Sequence, residues 1–186
     1  MDDGQVGVDY NVVRDPLKWK ARVRLEKFNG DLGPGHSRQA PYEVLEFEDN
    51  LLMYGGASCV WQSLIGNGTA TANQTLTYFN NANAAVGVGD SSAAEVGTQT
   101  DLQAASNKAR VAMDATYPVH TDGTTSAAAS IVFRSTFASA AGNFVWAEWA
   151  IFNSATVGRM LNRKVQALGT KVAGTSWQLT ITLTVS

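Results

Sequence analysis

At the C-terminal end of the chain apolar and polar residues alternate without a break. Trp177, Leu179, Ile181, Leu183 and Val185 fall on one side, and Gln178, Thr180, Thr182 and Thr184 on the other. A period of two marks a half-buried β-strand with a dry face and a threonine face. The same period runs from Lys18 to Glu26, where Trp19, Ala21, Val23 and Leu25 share one face and the other is basic. It returns from Tyr42 to Glu48, with Tyr42, Val44 and Glu46 opposed to Glu43, Leu45 and Phe47. Residues 126 to 138 set Ile131, Phe133 and Phe137 against Val132, Arg134 and Thr136, and Arg110 to Tyr117 alternates weakly. The stretch Phe144 to Phe152 is apolar on both faces, with Phe144, Trp146, Glu148, Ala150 and Phe152 against Val145, Trp149 and Ile151. Such a strand is central or sandwiched.

Between these strands one segment has helical spacing. Asn50 is placed to cap a helix over residues 51 to 65 that closes at Gly66, with Leu52, Gly56, Cys59, Val60 and Leu64 on one side. Its small residues let it lie close against a sheet. A short strand, Ala84 to Val88, ends in a Gly-Asp turn that accounts for the glycines of Gly87-Val88-Gly89-Asp90, so a phosphate loop is not invoked. Ser92 to Asn107 reads as a polar surface excursion with a short helical turn, and residues 29 to 41 as a Gly/Pro-rich loop. Residues 1 to 16 lack an apolar pattern and are expected to be a flexible tail that a partner orders.

Composition narrows the function more than the fold. The 186 residues suffice for one core or one core with an arm, and only 16% are charged, against roughly 25% for ordinary soluble domains. A polar but weakly charged surface suits a protein packed against other proteins. The net charge of -2 gives no footprint for nucleic acid, and no segment has the length and apolarity of a membrane span. Residues 1 to 49 hold 7 of the 14 Lys/Arg and 10 of the 16 Asp/Glu. The expected organisation is therefore an N-terminal arm and charged β-hairpin over 1–48 and a β domain over 49–186. The basic and acidic strands of the hairpin pair with each other or with a neighbouring subunit. Trp19, Lys20, Arg22, Arg24, Tyr42, Glu43 and Phe47 are the expected interface residues, with Trp61 a further candidate for contact with another chain.

Candidate chemistry is sparse. Glu148 is the one acid in an aromatic strand, and a carboxylate there must be paired, protonated or at an edge. Arg134, Arg159, Arg163 and Lys164 lie on candidate neighbouring strands, and the favoured reading is a structural ion pair of Glu148 with Arg134 or Arg163. A general acid or base would need a second group, which does not follow nearby. His36 and His120 sit in turn-like sequence without metal-ligand spacing, so no metal or cofactor is expected. Cys59, in an apolar context, reads as a buried inert thiol, and no serine lies in a GxSxG setting. No enzyme activity is expected.

The order of motifs carries a resemblance. Asn50-Leu51-Leu52 leading to Leu64-Ile65-Gly66, then FNNANAAVGVGDSSAAEVGTQTDLQ, KARVAMDATYP, VFRSTFASAAGNFVWAEWAIFN and MLNRKVQALGTKVAGTSWQLTITLTVS, resembles tailed-bacteriophage virion proteins over residues 42 to 186. It also resembles the sandwich domains of tail-collar and tail-fibre proteins. The resemblance implies a β-sandwich, jelly-roll-like, with one helix, present in many copies on a virion assembled in the bacterial cytoplasm. It implies other virion proteins as partners, the major capsid protein or tail proteins. It also implies a homo-oligomer, and a trimer would suit a three-fold or quasi-three-fold capsid site. The role favoured is capsid decoration through the N-terminal arm. The alternatives are a tail tube, collar or fibre-associated protein, or a carbohydrate-binding module for host adsorption.

Overall fold

A computed structural model describes residues 19–32, 39–65, 78–121, 124 and 126–185. Its elements are β1 (Trp19–Asn29), β2 (Glu43–Glu48), β3 (Leu51–Leu52), α1 (Tyr54–Ile65), β4 (Ala85–Gly89) and β5 (Lys108–Ala112). They continue with β6 (Val119–His120), β7 (Ser130–Phe137), β8 (Val145–Phe152), β9 (Met160–Thr170) and β10 (Thr175–Val185). Ten strands form two five-stranded sheets, sheet A in the order β2-β1-β10-β7-β6 and sheet B in the order β3-β9-β8-β4-β5. All paired strands are antiparallel. The protein is a β-sandwich with one α-helix among the described residues, as the alternating pattern and the one helical stretch predict.

The alternation in β10 has the predicted consequence. Leu179, Ile181 and Leu183 are buried between the sheets with Val23 and Leu25 of β1 and Phe133 and Phe137 of β7. Val86 and Val88 of β4 and Trp146, Trp149 and Ile151 of β8 meet them from sheet B. Trp146 packs edge-on against Phe137 and Trp177, at centroid separations of 4.7 and 4.8 Å. Each such pair adds about 0.5–1.5 kcal/mol beyond the area it buries.

Several expectations are corrected by this packing. The hairpin of β1 and β2 is not an arm separable at residue 48. All eleven residues of β1 pair with β10, from Trp19↔Val185 to Asn29↔Thr175, and Ala21, Val23 and Leu25 are core residues. The period-two pattern of β1 was itself the sign of a wall of the core. The helix begins three residues later than expected, because Leu51 and Leu52 pair with Arg163 and Asn162 on the edge of β9 and Met53 N–H donates to Leu161 O. Helical hydrogen bonding starts only with Ala57 N–H to Met53 O, so Asn50 is not its cap. Val60 faces outward, while Gly56 and Cys59 face the sheet. Strict alternation also fails in β8. The register shifts between Trp146 and Glu148, so Trp146 joins Trp149 and Ile151 inside the sandwich instead of sharing a face with Glu148.

Outside sheet B lies a third layer. Met53, Leu102, Ala150, Phe152 and Met160 form a second apolar cluster under α1 and the segment 90–107. That segment runs over the surface as expected, but without a helical turn, and Leu102 and Ala104 are buried beneath it. Gly87 and Gly89 belong to β4 rather than to a turn, and their size is set by what leans over them. A Cβ on Gly87 would lie 2.7 Å from the Phe152 ring, and one on Gly89 2.5 Å from the Glu148 carboxylate. The flexible tail expected over residues 1 to 16 lies outside the described residues, as do most of the glycine-rich loop with His36 and the polar loop after the helix.

Gly56 tests how the helix is seated. A Cβ there would overlap the backbone of Leu161, and helix backbone against strand backbone has no flexible end to yield. Gly56→Ala should therefore destabilise by about 1–3 kcal/mol in urea unfolding, although alanine is the better helix former. Val60→Ala on the exposed side should change stability by no more than about 0.5 kcal/mol.

Candidate functional site

Glu148 comes from the outer side of β8 and points under the 90–107 segment. Its Oε2 accepts from Arg163 Nε at 2.6 Å and Gln103 N–H at 3.0 Å, and its Oε1 accepts from Ala104 N–H at 2.8 Å. Arg163 is closed as completely, donating through Nη1 to Gln99 Oε1 at 3.0 Å and through Nη2 to Ala93 O at 2.9 Å. Both side chains are fully buried. A carboxylate whose two oxygens are each held by fixed donors has no oxygen turned toward a substrate. Its role is to pin the third layer to sheet B.

Arg134 does not take part. It lies on β7 of the opposite sheet, where Nε donates to Asp114 Oδ2 at 2.8 Å and the guanidinium stacks 4.1 Å over Tyr117. Asp114 also accepts from Thr136 N–H and Oγ, each at 2.9 Å. Sequence pattern alone does not say which sheet a strand joins, and that is why Arg134 looked like a neighbour of Glu148. Arg159 is buried beside Cys59, with Nη1 4.0 Å from Sγ. Burial pushes the Cys59 thiol up, the Arg159 charge opposing it only in part, so the thiol stays protonated at neutral pH. Lys164 reaches Asp49 at 3.2 Å.

The expected interface residues divide. Lys20, Arg22 and Arg24 stand on the outer face of sheet A, Arg22 bonded to Glu48 at 3.1 Å and Arg24 to Glu46 at 2.5 Å. Glu43 pairs with Lys27 at 2.9 Å, and Lys27 in turn lies 4.3 Å over the Trp177 ring. The basic and acidic strands thus pair with each other inside one chain. Trp19 and Phe47 are corrected: both turn inward against the core, Phe47 with its ring 6.5 Å from that of Trp149. Tyr42 is half exposed and its hydroxyl accepts from Trp177 Nε1 at 3.3 Å. The side chain of Trp61 lies outside the described residues.

At one end of the sandwich a further cluster escaped the sequence reading. Asp31 accepts from Ser139 N–H at 2.6 Å, Ser139 Oγ at 2.7 Å and Ser176 Oγ at 2.9 Å, tying its own loop and the loop after β7 to the start of β10. Beside it the buried Lys171 ammonium donates to Ala138 O at 2.9 Å and Asn143 Oδ1 at 2.8 Å. Burial lowers the Lys171 pKa, the Asp31 charge opposing it. The polar character of 29–41 hid Asp31 among ordinary loop residues. Only its spacing just past the end of β1 hinted at a fixed position.

The outer faces of the two sheets differ. Sheet B is roofed by α1 and the 90–107 segment. Sheet A presents Thr180, Thr182 and Thr184 of β10 between the arginines of β1 and the polar residues of β7, with a shallow groove of about 570 Å³ lined by Lys20, Arg22, Glu48, Ser130, Thr182 and Thr184. These features define a two-sheet antiparallel β-sandwich in which, among the described residues, only sheet B is roofed by a further layer. Compared with protein-family models, curated proteins and solved structures, the chain matches none.

Two tests follow from the charges. Glu148→Gln keeps the shape but leaves the buried Arg163 uncompensated, and should cost about 3–5 kcal/mol in urea unfolding. A double-mutant cycle with Arg163→Met should return a coupling above about 1 kcal/mol. For Asp31 the hydrogen bonds from Ser139, then that from Ser176, hold the folded-state pKa below the ordinary value of 3.8. Their contribution is fully present above that value and is lost as pH falls through the lower folded-state one. The stability gap between wild type and Asp31→Asn should therefore be constant near neutrality and shrink below about pH 4, read from urea midpoints.

Proposed function

We propose that the protein is a non-enzymatic structural component of a tailed-bacteriophage virion, a capsid decoration protein that binds the assembled shell. The resemblance of residues 42 to 186 to virion proteins supports this reading. The observation that carries it is the asymmetry of the sandwich: sheet B spends a helix and a long segment on covering its outer face, while among the described residues the outer face of sheet A, with its half-buried threonines and paired charges, carries no such layer. Such a face fits a partner of matching shape and modest charge, and the third layer of sheet B fits none of that role. The ionisable groups that the sequence singles out are bonded into the fold, Glu148 to Arg163 and Arg134 to Asp114, which favours a binding part over a catalytic one. A subunit that binds only the assembled state stabilises that state by mass action, and a shell loaded with packaged DNA gains from each added bridge.

Purified protein should sediment saturably with shells that lack it and not with isolated tails. Lys20→Glu, a charge reversal on the exposed end of β1, should weaken shell binding by about tenfold, the effect of roughly 1.4 kcal/mol, without changing the melting temperature. Sedimentation with tails alone would instead favour a tail-associated protein, and binding to host surface glycan with neither particle would favour an adsorption module.

A further inference from the structure

Among the described residues β2 is the edge of sheet A, and its outer side is a template for another strand. Asp49 N–H donates to Ala21 O at 3.0 Å, which sets the alternation of the β1–β2 ladder. Phe47, Leu45 and Glu43 therefore exchange hydrogen bonds with Val23, Leu25 and Lys27, while the N–H and C=O groups of Val44, Glu46 and Glu48 point away from the sheet. No described residue bonds to those outward groups. Edge strands are ordinarily guarded by charge, and β2 has three glutamates. Here the guard is disarmed, because each is already bonded to a cation of β1: Glu43 to Lys27, Glu46 to Arg24 and Glu48 to Arg22. On the same strand the apolar side chain of Val44 is 39% exposed, while Tyr42, at 50%, turns its hydroxyl back to Trp177.

We propose that β2 pairs with β2 of a second copy of this chain, antiparallel about a two-fold axis at Leu45, joining two A sheets into one. The strand is self-complementary in that register. Of the registers that bring the outward backbone groups face to face, it is the one that keeps all of 43–47 paired, Tyr42 N–H being already given to Lys27 O at 2.8 Å, and it sets no glutamate opposite another. Val44 lies across from Glu46 of the second copy, Glu43 across from Phe47, and Leu45 across from Leu45. Apolar side chains directly opposite one another stabilise such a pair, and like charges would destabilise it. The contact is isologous, so it closes as a dimer and does not propagate. A single added strand falls short of the roughly 1,200 Å² of a stable interface. Free protein therefore exchanges between monomer and dimer, and copies held side by side on a particle pair more completely.

The pairing is read on free protein, apart from any shell. Sedimentation velocity of the full chain should show a dimer fraction that grows with concentration. Val44→Pro removes an N–H that bonds nothing in the described fold, so the melting temperature should hold while the dimer dissociation constant rises by about tenfold or more. Leu45 faces Leu45 as a non-hydrogen-bonded pair, where the two Cα atoms lie about 4.5 Å apart, within disulfide reach. In a Cys59→Ala background, Leu45→Cys should give an interchain disulfide under mild oxidation. A chain that stays monomeric at every concentration and does not cross-link overturns the proposal. So does a dimer that Val44→Pro leaves intact, since its contact lies elsewhere. Shell binding that persists in Val44→Pro separates this pairing from the decoration role.

Discussion

A carboxylate and a guanidinium without exposed surface, set in the outer face of a sheet, require a roof. Glu148 and Arg163 bury two charges that water would otherwise solvate, and desolvation on that scale is offset only if each polar atom finds a fixed partner. Sheet B cannot supply those partners from its own strands. The segment from Ala93 to Ala104 does, with two N–H groups for the carboxylate and a carbonyl and an amide oxygen for the guanidinium. Once it is in place the neighbouring positions lose their freedom. Gly89 must stay small beneath the carboxylate, Gly87 beneath Phe152, and Leu102 becomes core. An uncharged apolar pair would hold the layers as firmly but would not specify which stretch of a polar, aperiodic segment lies where.

How far the sequence discloses this depends on the range of the interaction. The strands β1, β2, β7 and β10 are legible because their side chains alternate between a wet and a dry face, and period two is a local property. The inward set of β10 can be read directly from Trp177 to Leu183. The break in β8 is not local, for it arises where β9 carries extra residues opposite Ala147, between the Trp146 and Glu148 pairs, and nothing in FVWAEWAIF announces the partner's irregularity. Leu51 and Leu52 carry helix-compatible side chains, yet the open edge of β9 claims their backbone. Glu148 was legible as a buried acid needing a cation, and Arg163 as one of its candidates. Choosing between Arg163 and Arg134 required knowing which sheet each strand joins. The loop partners of both charges are backbone groups and a glutamine, which leave no mark in composition.

The same reasoning explains why the charged N-terminal quarter reads as an appendage and is instead a wall of the core. High charge density on β1 and β2 belongs to one face only. The opposite face contributes Ala21, Val23, Leu25, Leu45 and Phe47 to the interior. Summing charge over a segment averages the two faces and hides the core half, whereas the alternation keeps them apart. Truncation at residue 48 would remove two of the five strands of sheet A, so any loss of binding in such a fragment would report loss of the fold.

The charges on that outer face are arranged to cancel. Arg22 meets Glu48 and Arg24 meets Glu46 across the ladder, while Arg134 meets Asp114 farther along the sheet. Exposed pairs of this kind add little to stability, about 0–1 kcal/mol each. Their consequence lies in what they do to the surface. A face whose cations and anions are locked to one another exerts a weak long-range field and does not steer small charged ligands. It keeps polar groups in register over the sheet, so that a second surface meeting it strands few charges beyond Lys20 at the end of β1. Neutralising the glutamates has the same effect at the edge, where the outward backbone groups of Val44, Glu46 and Glu48, unbonded among the described residues, would otherwise be screened by repulsion. The salt-bridge ladder is thus better understood as preparation of a contact surface than as reinforcement of the sandwich, whose stability resides in the aromatic interior and the roofed outer face of sheet B.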